Sequence, residues 1–195
     1  MKRIFTVLII SLIAISASAQ EHLKVKGIPI DGNLSSFTAK LRAAGCKTDT
    51  RLSDALGTPI LVGDFAGMSD CKFSFITDND NTVCKVLIIT KDFTGWFNTK
   101  TKYEDMKELL STKYHLMNHF EIFSRPYYEG DGYELSAVKQ EKCIYKSFFE
   151  CPEGYITVEI KATNSSEGYL TIVYEDRINT EKFSEEREKK ISDDI

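Results

Sequence analysis

The chain has 195 residues, a formal net charge of −4, 42% hydrophobic residues and five cysteines. A mildly acidic protein gains nothing from phosphate backbones, which excludes nucleic acid as a natural partner and argues against adsorption to anionic lipid. The chain opens with Met1-Lys2-Arg3, then Ile4 to Ile15, apolar except for Thr6 and Ser11. Ala17-Ser18-Ala19 follows, a small-x-small site. This is the three-part pattern of a secretory signal peptide over residues 1–19, with cleavage between Ala19 and Gln20. The run is shorter than the roughly 20 apolar residues of a bilayer span, so removal is expected rather than retention as an anchor. No cysteine follows the small residues and no later run is long enough to span a membrane, so neither a lipid anchor nor a membrane span is expected after cleavage. Loss of Lys2 and Arg3 takes the charge from −4 to −6. A chain of the remaining size can bury roughly 70% of its unfolded surface and needs no covalent staples.

Residues 20–175 read as one α+β domain. A helix is expected from Asn33 to Ala44: Asn33 or Ser35 can cap it, Phe37, Leu41 and Ala44 share a face, and Gly45 ends it. The period then changes to that of strands. Thr58–Val62, Cys71–Ile76 and Val83–Ile89 predict a three-stranded antiparallel meander, with Thr77-Asp78-Asn79-Asp80-Asn81 as turn chemistry. A second helix is expected near Thr101, where Thr101 and Glu104 fit a capping box and Tyr103, Met106, Leu109, Leu110 and Tyr114 form an apolar stripe. Strands are then expected at about 119–123, 133–138, 143–149, 155–161 and 169–174. The order suggests two degenerate α-β-β-β repeats at about 30–91 and 99–175. Cys71–Thr90 and Cys143–Ala162 are equal in length and match at Cys71 and Cys143, Phe73 and Tyr145, Val86 and Val158, and Ile88 and Ile160. Residues 176–195 are dense in charge, and Glu185–Lys189 and Glu186–Lys190 are helix-supporting pairs. They read as a solvated helical tail that docks by Phe183, or as disorder.

Export would permit disulfides, but the count of five leaves at least one thiol unpaired within the chain. Cys143 and Cys151 are too far apart for a bridge if they end one strand, while Cys71 and Cys84 flank a hairpin. Buried small hydrophobes are the expected role.

Several short motifs carry a resemblance. They are Gly27-Ile28-Pro29-Ile30-Asp31-Gly32, Gly63-Asp64-Phe65-Ala66-Gly67 with Cys71 after it, and Trp96 ahead of Tyr103 and Lys113-Tyr114. Tyr174-Glu175-Asp176, Asn179 and Asp193-Asp194-Ile195 complete the set. In these the chain resembles a group of secreted proteins common in gut Bacteroidetes, over most of its length beyond the signal. The resemblance implies no activity. The alternation of helices and antiparallel strands is similar to tandem-repeat inhibitor and envelope-scaffold folds, which act by binding.

Catalytic motifs are sparse. His115 and His119 would share a face on a continuous helix and so could hold a metal beside Glu121, but Leu116 stands where a metalloprotease needs Glu. Asp78-Asn79-Asp80-Asn81-Thr82 opens like a calcium loop, then fails at Val83 and Ile89. No nucleophile elbow or phosphate loop is present, and no cofactor is expected. Two aromatic segments stand out as candidate binding loops: Phe93, Trp96 and Phe97, and Tyr127 and Tyr128. The competing reading of the first is a staple of the helix onto the sheet. The expectation is an exported periplasmic or secreted module without enzymatic activity, binding an envelope or extracellular protein or a glycan. The alternative is a metal- or Cys-dependent periplasmic enzyme.

Overall fold

A computed structural model describes residues 21–193. The expected signal peptide and its cleavage pair, Ala19 and Gln20, lie outside the described residues. A small hairpin, β1 (Lys24–Val25) and β2 (Ile28–Pro29), leads into α1 (Leu34–Ala43). Asn33 caps that helix, accepting the Ser36 N–H at 2.9 Å, and Phe37, Thr38 and Leu41 form its buried side. Next come β3 (Lys47–Thr48) and a short helix α2 (Thr50–Leu56), the latter not expected from the apolar pattern. Its ends were nonetheless written in the chain: Asp49 accepts the Leu52 N–H, and Gly57 closes it with φ of 66°.

The meander is present as β4 (Leu61–Phe65), β5 (Met68–Thr77) and β6 (Val83–Ile89). Asp78 shapes the tip between β5 and β6 by accepting the N–H groups of Asp80 and Thr82 at 2.9 and 2.7 Å. A short β7 (Phe93–Thr94) precedes α3 (Trp96–Ser111). The capping box at Thr101 does not form, because the helix starts a full turn earlier. Gly95, with φ of 81°, breaks the strand, and Trp96, Thr99, Tyr103, Met106 and Leu110 continue one stripe at helical spacing. The chain goes on with β8 (His115–Phe123), α4 (Glu134–Lys139), β9 (Cys143–Cys151), β10 (Gly154–Ala162), β11 (Glu167–Asp176) and α5 (Arg177–Asp193). The strand expected at 133–138 is thus corrected to a helix. Leu135, Ala137 and Val138 are buried beside Glu134, a spacing that suits a helical turn, and Asp131 accepts the Tyr133 N–H at its entrance.

The architecture is α+β with a C-terminal helix. The strands form one antiparallel sheet in the order β3-β4-β5-β6-β11-β10-β9-β8, with β7 added to the end of β11. Two successions, α1-β3-α2-β4-β5-β6 and α3-β8-α4-β9-β10-β11, have the same element order and meet where β6 pairs β11 from Lys85↔Glu175 to Ile89↔Thr171. The likeness of Cys71–Thr90 to Cys143–Ala162 therefore has the wrong register. It sets β5–β6 on β9–β10, whereas position in the sheet sets β5–β6 opposite β10–β11. An in–out alternation repeats every two residues, so neighbouring hairpins look alike to a pattern match.

One face of the sheet is the core. Phe73, Val86, Ile172, Val158 and Phe149 lie on it, and α1, α3 and α4 cover it. Phe37 of α1 packs edge-on against Phe75, and Tyr103 of α3 shares a hydrogen bond with Ser147 at 2.5 Å. The tail is docked rather than merely solvated. Asp176 caps α5 by accepting the Asn179 N–H, and Asn179 donates to the carbonyls of Ile30 and Val83, both at 2.8 Å. Phe183 is half-buried. No helix among the described residues is long and apolar enough to cross a membrane.

Candidate binding site

The opposite face of the sheet stays open, its side chains half-buried or exposed. Cross-strand register sorts it into rows. One row runs Lys72, Ile89, Thr171, Glu159, Lys146, Phe120; a second runs Ser74, Leu87, Val173, Thr157, Phe148, Asn118. A third runs Ile76, Lys85, Glu175, Tyr155, Glu150, His115. The charges are largely neutralised in place: Lys85 pairs with Glu175 at 2.6 Å, and Glu159 lies between Lys161 and Lys146 at 2.5 and 3.3 Å. Arg177 stacks over the Tyr155 ring at 4.7 Å while bonding Glu150 at 3.0 Å.

At the β8–β10 end the face turns apolar. Met117, Phe120 and Ile122 of β8 are 52%, 39% and 51% exposed, and Ile144 of β9 is 44% exposed beside them. Phe120 and Phe148 pack edge to face at 6.1 Å, with the Lys146 ammonium over Phe148. Met117, Phe120, Phe148 and Tyr155 line a depression of about 490 Å³. Among the described residues β8 is also the end of the sheet, paired only with β9. Its nine residues contain neither Lys nor Pro, the usual protections of a free edge, and only a bulge at Met117 interrupts it.

The aromatic residues singled out from the sequence do not form one patch. Trp96 opens α3 and packs edge-on against Tyr145 at 5.0 Å and Phe123 at 5.9 Å. Phe93 and Tyr127 likewise lean on the core. Phe97 and Tyr128 are the two that stay outside, 79% and 64% exposed. The segment that holds Phe93, Trp96 and Phe97 is therefore a strand end and a helix start, and the staple role fits Phe93 and Trp96.

His115 and His119 lie on a strand, not a helix. The bulge between Leu116 and Asn118 shifts the register, so His115 faces Glu150 on the open side and His119 faces Ser147 on the other. The two rings point to opposite faces, which corrects the shared-face geometry expected of them. Among the described residues no cluster of three or more His, Cys, Asp or Glu side chains is placed to hold a metal ion. All five cysteines are free and buried. Burial pushes the thiols of Cys71, Cys84 and Cys151 up to about 11 and that of Cys143 to about 12, the reverse of an activated nucleophile.

Phe120, Phe148, Tyr155 and Ile144 were missed from sequence. The available sign was an imperfect alternation: in Cys143–Phe149, both the inward set and the outward set contain apolar residues. A strand with one wet face alternates cleanly, as Tyr155–Lys161 nearly does. Comparison with family models, curated proteins and solved structures returned no match.

Proposed function

We propose that this chain is an exported, non-enzymatic binding module that takes a protein partner on the open sheet face at β8–β10. The observation that carries this reading is the coincidence of an apolar patch with a long free sheet edge. A partner that pairs an extended segment with β8 gains main-chain hydrogen bonds and lays its alternate side chains beside Phe120 and Ile122, while the rest of its surface covers Phe148 and Tyr155. The charges around the patch are already paired, so a glycan would find few free polar groups, while an apolar protein surface would find anchors of the aromatic kind that dominate interfaces. The address outside the inner membrane and the kinship with secreted Bacteroidetes proteins belong to the same proposal and rest on the sequence. The enzyme alternative finds no support in two histidines on opposite faces and thiols raised by burial.

A photo-crosslinking side chain placed at Phe120 tests the reading in cells. The expected result is one protein adduct, absent when the probe replaces Phe97 on the helix side and lost with Tyr155→Glu. The purified partner should then bind Phe120→Lys at least tenfold more weakly. An adduct only with the chain itself, or equal adducts from both positions, overturns the proposal. N-terminal sequencing of the cell-envelope protein should begin at Gln20.

A further inference from the structure

On the helix side of the sheet, away from the partner face, a cleft of about 560 Å³ opens between the β1–β2 hairpin, the β4–β5 turn and the last turns of α3. Small-molecule sites fall in this size range. Its inner wall is apolar: Phe65, Met106 and Leu110 are buried there, with Leu109 on the outer side. Tyr174 also lines it. That side chain is 5% exposed and its ring packs edge-on against Phe65 at 6.0 Å. Its hydroxyl has no hydrogen-bond partner among the described residues, and Tyr114 beside it has none either.

Among the described residues the fully buried, unpartnered side-chain oxygens are Asp78 Oδ2 and Thr180 Oγ1; the Tyr174 hydroxyl instead opens to the cleft. It lines a cavity rather than solid core, so an occupant can satisfy it. The rim is cationic. Lys24, Lys26 and Lys113 border the cleft against one carboxylate, Asp64. Lys24 pairs with Glu21 at 2.8 Å, and Lys26 donates to the Asp64 carbonyl at 2.5 Å. Lys113 makes no ion pair among the described residues. An apolar wall, an unpaired phenol and an unpaired ammonium select one kind of occupant.

We propose that this cleft binds a small amphipathic carboxylate, its chain on Phe65, Met106, Leu109 and Leu110 and its carboxylate taken by Tyr174 and Lys113. The anion accepts the hydroxyl proton of Tyr174 in a hydrogen bond and neutralises Lys113, while the apolar chain leaves water. This site is separate from the open sheet face, and either can fail without the other.

Dodecanoate is the probe, with dodecanol as its uncharged match, titrated calorimetrically into the purified full-length mature protein. The expected result is one-to-one binding of dodecanoate, at least tenfold tighter than dodecanol. Tyr174→Phe should weaken dodecanoate about tenfold and leave the melting temperature of the ligand-free protein nearly unchanged, since the hydroxyl is open to the cleft. Lys113→Met should weaken dodecanoate several-fold and leave dodecanol unchanged. No binding of dodecanoate overturns the proposal. So does equal affinity for both probes, or wild-type affinity in both variants.

Discussion

At the scale of single residues, the molecule is held by a few buried polar groups with complete partners. Asp176 is fully buried and accepts from the Leu23 N–H at 2.8 Å, the Asn179 N–H at 2.9 Å and the His22 ring at 3.1 Å. One carboxylate thereby joins the first described residues to the start of α5. Asn179 completes the junction through Ile30 and Val83. Asn179→Ala strands two buried carbonyls and should destabilise by about 2–4 kcal/mol, read from denaturant unfolding. A loss below about 0.5 kcal/mol would show that water reaches them. Gly154→Ala should be worse, because a Cβ there would stand 2.0 Å from the Glu175 carbonyl oxygen. The thiols make a separate prediction. Native protein should resist a thiol reagent near pH 8, and five equivalents should react after denaturation. The raised thiols also set a sign for stability. Above the ordinary thiol value of 9 the unfolded chain ionises first, so stability should fall as pH rises from about 9 toward 11. A flat profile across that window in thermal unfolding would contradict the burial.

At the scale of elements, the informative cases are those where propensity and packing disagree. α5 is charge-rich and has little apolar stripe, which by itself reads equally as a disordered tail. Its first turn is nevertheless tied into the core by Asp176 and Asn179, and Lys182 reaches toward Asp80 and Asp78 at 3.8 and 4.0 Å. Truncation after Asp176 should lower the melting temperature by several degrees and expose Cys84, whose sulfur lies 3.5 Å from the Asn179 carbonyl. An unchanged melting temperature would mark α5 as an ornament. α4 teaches the converse. Its apolar residues Leu135, Ala137 and Val138 suit a strand or a helix over so short a run, and the arrangement of Asp131 and Glu134 at its entrance decides for the helix: Asp131 accepts the N–H of Tyr133, and Glu134 accepts that of Gly130. Such short-range side-chain bonds can be proposed from sequence, but their partners are known only once the loop is folded.

At the scale of the whole molecule, two successions of like order share one sheet through the pairing of β6 with β11, extended at its end by β7. Cutting there leaves a long unpaired edge on each part and separates α5 from β6. Residues 20–95 and 96–195 expressed separately should therefore show no cooperative thermal transition, and mixing should restore one. A cooperative transition in either part alone would make it an independent domain. The same architecture explains why the candidate site was only partly legible. Trp96 was noticed as a conspicuous residue, yet it sits against Tyr145 and Phe123 from strands far along the chain. Phe120 and Phe148 looked like ordinary strand residues, yet no described element covers them.

Sequence alone determined what depends on neighbours: the α1 cap at Asn33, the Asp78 hairpin tip, the in–out alternation of β5, β6, β10 and β11, and the stripe of α3 from Tyr103 onward. These follow from local hydrogen bonds and from periods of about two and 3.6 residues, which need no distant contact. Tertiary structure alone decided the order of strands, the register that parts His115 from His119, and which face of the sheet stays open. The reason is physical. Alternation tells that a strand has two faces, but only the packing of α1, α3 and α4 across the assembled sheet selects the one that is buried.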